Sequence, residues 1–149
     1  MRSKTSKWFE CTCQYLKKME DGSLKKVKET NVVDALSFSE AETRFTDEMK
    51  AYISDLFEVT AIKIAQYTEV FFNDEDESAD RWYKVGVDFI NVNEKTGKEK
   101  RDKVIYLFQA GSFEQAKKSV VEMMSGSMAV YEIVKIEETK LWSIFEYKN

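Results

Sequence analysis

The stretch GSFEQAKKSVVEMM, residues 111–124, repeats the layout of an earlier stretch, LSFSEAETRFTDEM, residues 36–49. In each, a serine (Ser37 or Ser112) stands three residues before a glutamate or glutamine, which is typical of a capping box at the start of a helix. Apolar residues follow at intervals of three and four, which places them on one helical face. These residues are Phe38, Ala41, Phe45, Met49, Tyr52 and Leu56 in the first case, and Phe113, Ala116, Val120 and Met124 in the second. The sequence therefore predicts two amphipathic helices with the same cap.

The repetition extends beyond the helices. Trp82 follows Trp8 by 74 residues, and Gly97 follows Gly22 by 75. On both sides of each helix lie segments rich in aromatic and β-branched residues, which indicate strands, and the glycines mark hairpin turns. Matching strands, turns and caps in the same order predict an internal duplication of a ββαβ unit. Its copies span residues 7–72 and 81–147, with residues 57–72 read as one long or broken strand and residues 73–80 as an acidic linker.

The predicted fold class is α+β. One ββαβ copy of about 70 residues is marginal in size for independent stability. We therefore expect residues 1–149 to form a single compact domain, in which two helices pack on antiparallel sheet around a pseudo-twofold axis.

The composition narrows the function classes. The chain of 149 residues has no histidine, so the commonest general base and the commonest metal ligand are missing. Its two cysteines form a C-x-C pair that cannot complete a four-ligand zinc site, and we expect both to be reduced residues of a strand. The acidic linker lacks the glycine and the final glutamate of a calcium loop. We expect no catalytic residue, metal or cofactor, and we expect the protein not to be an enzyme.

The chain contains no apolar run long enough to cross a membrane, and its basic N-terminus does not resemble a signal peptide. We therefore expect a soluble, cytoplasmic protein without a membrane partner.

Positive charge is concentrated in the two predicted hairpins, although the net charge of the chain is −4. Residues 14–28 carry five lysines against two acidic residues, a net charge of +3. Residues 93–103 carry five basic residues against three acidic ones, a net charge of +2. Two such arms can bind phosphate groups, but lysines also keep hairpin tips soluble and protect sheet edges. The candidate ligand-binding residues here are Lys17, Lys18, Lys25, Lys26, Lys28, Lys98, Lys100, Arg101 and Lys103.

Aromatic residues stand at equivalent strand entries, Trp8 in the first copy and Trp82 with Tyr83 in the second. An exposed ring at such a position can stack on a nucleic-acid base, whereas strand aromatics are commonly part of the core. We include these three residues as candidate ligand contacts.

Three segments carry a resemblance to a known family: the opening WFEC, the helix entry VDALSFSEAE and the junction EVFFNDEDESADRWYK. Together they resemble the domain of unknown function 4494 family, which is found in Bacteroidota and in their phages, including crAss-like phages. The resemblance covers nearly the whole chain. It implies a phage or prophage protein of the bacterial cytoplasm, with the virion as the alternative location. It implies no activity and no catalytic residue.

These observations lead to a hypothesis of function. The protein is expected to be a non-catalytic binding protein that recognises an anionic nucleotide-type ligand, either a small nucleotide that is sequestered or a short single strand. The basic arms and aromatics would meet at the seam between the copies or at a homodimer interface. The alternative is a protein-protein interaction module that serves phage assembly or host takeover and has no small ligand.

Overall fold

The computed structural model describes residues 7–53 and 56–146. The basic start of the chain, residues 1–6, and the last residue of the predicted second copy, residue 147, lie outside this range. In chain order the elements are β1 (Lys7–Lys18), β2 (Leu24–Ala35), α1 (Phe38–Lys50), β3 (Phe57–Ala65), β4 (Glu69–Phe71), β5 (Arg81–Val92), β6 (Glu99–Ala110), α2 (Phe113–Met124), β7 (Tyr131–Glu138) and β8 (Leu141–Phe145). Two helices and two four-stranded sheets in the described chain confirm the α+β class.

Each sheet is mixed rather than purely antiparallel. One has the strand order β3-β1-β2-β8 and the other has the order β4-β6-β5-β7. The three strands of each ββαβ copy pair antiparallel, as predicted. The fourth strand, β8 or β4, instead pairs parallel with β2 or β6. The prediction of antiparallel sheet was therefore wrong for the fourth strand.

The fourth strand of each sheet comes from the other copy. The segment 57–72 is broken after β3, and its last part, β4, joins the sheet of β5, β6 and β7. In the same way β8, which ends the second copy, joins the sheet of β1, β2 and β3. The chain accordingly divides into two compact units, Tyr67–Lys140 and, among the described residues, 7–66 with 141–146. We call residues 67–140 the second unit, and residues 7–66 with 141–146 the first unit. The predicted single domain and pseudo-twofold axis concern the arrangement of these units and stay predictions.

The two units share details that go beyond their order of strands. Strands β1 and β5 both have 12 residues and begin with the same alternation of exposed and buried side chains. The register with the neighbouring strand slips at Thr12/Cys13 in one unit and at Gly86/Val87 in the other, 74 positions later. These matches support the internal duplication.

The predicted turns and caps are present. Gly22 and Gly97 adopt φ angles of 86° and 71°, which favour glycine, in the two hairpin turns. The Ser37 side chain accepts a hydrogen bond from the Glu40 amide at 3.1 Å, and Ser112 accepts one from the Gln115 amide at 3.2 Å. Local chemistry therefore fixes where both hairpins turn and where both helices begin.

Each helix covers one face of its sheet. In the first unit the helical residues Ala41, Phe45 and Met49 are fully buried against β1 and β2. In the second unit Val120 and Met124 pack against the apolar residues of β5 and β6. The predicted stripes are correct in these central positions, whereas the outer members Phe38, Tyr52, Leu56 and Phe113 are 47% exposed or more.

The two cysteines are free, as predicted, and lie in the core of the first unit. Burial raises the pKa of the Cys11 thiol to about 12 and that of Cys13 to about 11, from an ordinary value of 9.0. The folded protein therefore holds these protons more tightly than the unfolded chain does. Their contribution to stability is complete below pH 9 and is lost as the pH rises towards 12.

We expect the free energy of unfolding to fall across this alkaline range.

At about pH 8 a thiol reagent should label the native protein only as fast as the first unit unfolds and exposes the cysteines, because the reactive form is the thiolate. Stopped-flow labelling, with the urea-unfolded chain as the fast control, measures this. Immediate labelling of either thiol in the native protein would contradict the buried placement.

Candidate functional site

The hairpin of β1 and β2 extends beyond its sheet. On one side β3 pairs with β1 only as far as Tyr15, and on the other β8 pairs with β2 only from Thr30 onwards. Residues 16–18 and 24–26 are therefore two-stranded, and residues 27–29 pair with residues 13–15, which β3 borders on the other side. We call residues 16–18 and 24–29 the first ribbon. It carries all five lysines of the first hairpin, with Lys28 nearest its base. All five lysines are exposed.

The five lysines divide between the two faces of the ribbon. Lys17 lies directly opposite Lys25, on the face that α1 covers further along the sheet. Because side chains alternate along a strand, Lys18, Lys26 and Lys28 lie on the opposite face. The structure thus brings three of the predicted residues together on one face and places two on the other.

These lysines make no ion pair with any residue that the structure describes. The nearby carboxylate of Asp21 accepts hydrogen bonds from the hydroxyl and the amide of Ser23. These bonds lower the pKa of Asp21, the hydroxyl contributing most. The acidic residue of the turn is therefore occupied by the turn itself.

The second hairpin neutralises its main cation. The guanidinium of Arg101 contacts Glu132 at 2.7 Å, Glu99 at 2.8 Å and Asp88 at 3.4 Å. Hydrogen bonds from Arg101 to these carboxylates, above all to Glu132, raise the pKa of the guanidinium. Lys100 lies 3.8 Å from Asp102, Lys98 lies in the turn, and Lys103 is exposed on the face opposite α2.

Comparison of equivalent positions explains why the two hairpins differ. The counterpart of Arg101 is Lys26, because each lies at the same place in the register of its hairpin. Of the three carboxylates around Arg101, Glu132 has an acidic counterpart in Glu58. Asp88 and Glu99 are replaced by Gln14 and Leu24. The predicted pair of equivalent basic arms is thus one uncommitted arm and one that is internally paired.

The three candidate aromatic residues are buried. Trp8 and Trp82 are each 5% exposed, and Tyr83 is 3% exposed. Trp82 makes an edge-to-face contact with Phe72 at 5.4 Å between ring centroids, and Tyr83 packs with Ala116 beneath α2. Their faces are not accessible for stacking on a base, which corrects the prediction that Trp8, Trp82 and Tyr83 are ligand contacts of this kind.

Sequence reasoning missed three exposed leucines beside the lysines. Leu16 is 53% exposed, Leu24 is 64% exposed and Leu56 is 97% exposed. They line a groove of about 840 Å³ together with Gln14, Tyr15, Lys18, Lys26, Phe57 and Glu58. Pairing the hairpin about Asp21-Gly22 would have revealed the arrangement, because it sets Leu16 opposite Lys26 and Leu24 opposite Lys18.

The acidic linker is held against the second unit. Gln115 donates a hydrogen bond to Asp76 at 2.7 Å, and Gln109 donates one to the Ala79 carbonyl at 3.0 Å. A side chain at position 111 would collide with the Ser78 carbonyl, so Gly111 permits this close approach. No cluster of potential metal ligands occurs among the described residues, the linker included. The linker therefore acts as a structural segment of this unit.

No helix in the described part of the chain is long and apolar enough to span a membrane. No curated protein and no solved structure matches the chain. The model of one protein family, described as domain of unknown function (DUF4494), matches residues 7–147. This match covers almost the entire chain, and the protein therefore belongs to the domain of unknown function 4494 family.

Proposed function

We propose that this protein is a non-catalytic binding protein that holds a short single strand of nucleic acid through its phosphates, at the first ribbon. The observation that carries the proposal is the set of five exposed lysines without an ion pair among the described residues. The proposal keeps the anionic ligand expected from the sequence and assigns it to one hairpin.

Charge distribution supports this assignment. The first hairpin carries +3 while the whole chain carries −4, so the remainder carries −7. A polyanion is repelled by the acidic remainder and is attracted only where positive charge is concentrated. In the second hairpin the carboxylates around Arg101 compete with phosphate for the guanidinium. Binding should therefore centre on the first ribbon.

The burial of Trp8, Trp82 and Tyr83 indicates how the strand is recognised. Proteins that read single strands by stacking present exposed rings to successive bases. Lysines contact phosphates and carry no sequence information directly. We therefore expect binding that is independent of base identity.

An abasic strand tests this proposal. We expect a fluorescent deoxythymidine strand and an abasic phosphodiester strand of equal length to bind with affinities equal within about two-fold at low salt, since their charges are equal. Fluorescence anisotropy measures both. Absence of binding at low salt, or a strong preference for the strand with bases, would refute phosphate-directed binding.

The alternative of a protein-interaction module is favoured by the exposed leucines. Leu16, Leu24 and Leu56 give the groove an apolar surface bordered by Lys18 and Lys26. An acidic, amphipathic protein segment complements such a surface, and burial of leucine would make its binding less sensitive to salt. Replacing Leu56 by serine should weaken the binding of such a segment and should leave the affinity for the abasic strand unchanged.

The family resemblance motivates two further proposals: a gene of Bacteroidota or their phages, and a place in the cytoplasm of the bacterial host. A third proposal, assembly as a homodimer, comes from the hypothesis that the ligand is held at an interface. Phage structural or replication genes beside the coding sequence would support the first. Fractionation of the host, and light scattering on the purified protein, test the second and the third.

A further inference from the structure

Gly86 lies in the middle of β5, where the fold itself does not require glycine. Its φ angle is not positive, unlike those of Gly22 and Gly97. A Cβ atom added there would meet only the Lys135 Cβ, at 3.7 Å, which is ordinary van der Waals contact. Glycine weakens the interior of a strand by roughly 0.5–1 kcal/mol relative to alanine. It often marks a place where a ligand or another backbone approaches closely.

A depression of about 360 Å³ lies at Gly86. In the register of the sheet, Gly86 faces Ile105 on one side and Lys135 on the other. Further lining side chains are Lys84, Asp88, Lys103 and Val134. Because Gly86 has no side chain, its backbone forms the floor of this depression. The depression lies wholly within the second unit.

The equivalent place in the first unit is built differently. There Thr12 occupies the position of Gly86, and its hydroxyl lies 2.9 Å from that of Thr30, the counterpart of Ile105. The counterparts of Lys84 and Lys135 are Glu10 and Ala61. The second unit thus differs by a lost side chain and by two gained lysines around the space that the loss creates.

Two ammonium groups at the depression, those of Lys84 and Lys103, form no ion pair with a described residue, although Glu137 lies opposite Lys84 in the register and attracts it. Lys135 pairs with Glu137 at 2.5 Å, and Asp88 is held by Arg101 at 3.4 Å. Within the described chain neither Lys84 nor Lys103 forms an ion pair. Lys84 is half-buried and Lys103 is exposed, and in the register they lie on opposite sides of the Gly86–Ile105 pair, two positions away in each direction.

We propose that this depression binds a small phosphomonoester, whose phosphate lies over Gly86 between Lys84 and Lys103 and whose remaining part lies against Ile105 and Val134. A phosphate dianion matches two ammonium groups that form no ion pair among the described residues, and the apolar pair suits the carbon skeleton of the ligand. The volume lies at the lower end of the range for small-molecule sites, roughly 300–1,000 Å³. The site is separate from the first ribbon and does not depend on the function proposed above.

Titration of the full-length protein with adenosine 5′-monophosphate, followed by calorimetry and by amide chemical shifts, tests the proposal. We expect saturable binding with shifts centred on Gly86, and binding of unphosphorylated adenosine at least about 10-fold weaker because the charge is missing. Gly86→Val fills the floor without changing any charge and should weaken binding at least about 10-fold. Thr12→Val, at the equivalent position of the first unit, is the matched control and should leave the affinity unchanged.

Two further variants protect the test against misfolding and against binding elsewhere. Lys103→Gln alters an exposed side chain and should weaken binding while preserving the amide spectrum of the fold. The first-ribbon variant Lys18→Glu/Lys26→Glu/Lys28→Glu should bind the monophosphate as the unmodified protein does. The proposal is overturned if binding is not saturable, if adenosine binds equally well, or if Gly86→Val and Lys103→Gln both bind normally.

Discussion

Reversing three charges of the first ribbon, in the variant Lys18→Glu/Lys26→Glu/Lys28→Glu, is expected to reduce the affinity for single-stranded DNA by on the order of 100-fold at low salt. These side chains share one face of the ribbon, and none is neutralised by a described carboxylate. A matched variant, Lys117→Glu/Lys118→Glu/Lys140→Glu, changes the net charge equally at exposed positions outside the hairpins. Anisotropy titrations should show a much smaller loss for this control. Equal losses would mean that net charge, and not the first ribbon, governs binding.

The first hairpin can also be given the carboxylates of the second hairpin without removing a lysine. Gln14→Asp and Leu24→Glu introduce the carboxylates that Asp88 and Glu99 supply around Arg101. Their charges should occupy Lys26 and reduce the affinity for the strand, although every lysine remains. The conservative pair Gln14→Asn and Leu24→Gln serves as the uncharged control and should retain binding.

The variant Phe145→Ala is expected to lower the free energy of unfolding by about 2–4 kcal/mol, because it removes a large apolar side chain from a packed cluster. Phe145 belongs to β8, at the end of the second sequence copy, yet it is partly buried and packs against the core of the first unit. Its ring also stacks on that of Tyr52, at 6.4 Å between centroids. The expected loss therefore tests the exchange of the fourth strand directly.

Trp142→Ala is the control for this prediction. Trp142 lies in the same strand but is 58% exposed, so its loss should cost less than about 1 kcal/mol. Urea denaturation followed by circular dichroism measures both variants, and amide hydrogen exchange locates the change. Unaltered protection of β1, β2 and α1 in Phe145→Ala would contradict the placement of β8 in the first unit.

Much of this fold could be predicted because the residues that determine its turns and helix starts act on their immediate neighbours in the sequence. The serine caps at Ser37 and Ser112 and the turn glycines Gly22 and Gly97 act within a few residues of themselves. The comparison of two copies in one chain strengthened each assignment. These short-range features predicted the two helices, the order of the elements and the pairing of the hairpin strands.

The exchange of the fourth strands could not be predicted in the same way. Strand β4 has three residues and β8 has five, and their apolar character suits either sheet. The choice depends on pairing with β6 or β2, which lie more than 30 residues away in one case and more than 100 in the other. No short-range feature of the segment 66–72 indicates that the strand leaves its own copy.

The candidate site shows the same limit. The net charge of each segment identified both hairpins as basic, but it did not distinguish Arg101 from Lys26 as ligand contacts. The difference arises from Asp88 and Glu99, which the register of the strands brings beside Arg101 and which Gln14 and Leu24 replace beside Lys26. The burial of Trp8 and Trp82 likewise depends on tertiary packing that the alternation of a strand does not specify.

The salt dependence of strand binding tests the central claim most directly. If the five lysines of the first hairpin neutralise phosphates, the logarithm of the association constant should fall with the logarithm of salt concentration with a slope of about −3.5, at about 0.7 per contact. Removing the charges of Lys18, Lys26 and Lys28 by glutamine should bring the slope to about −1.4. A slope that these substitutions leave unchanged would contradict the assignment of the ligand to the first ribbon.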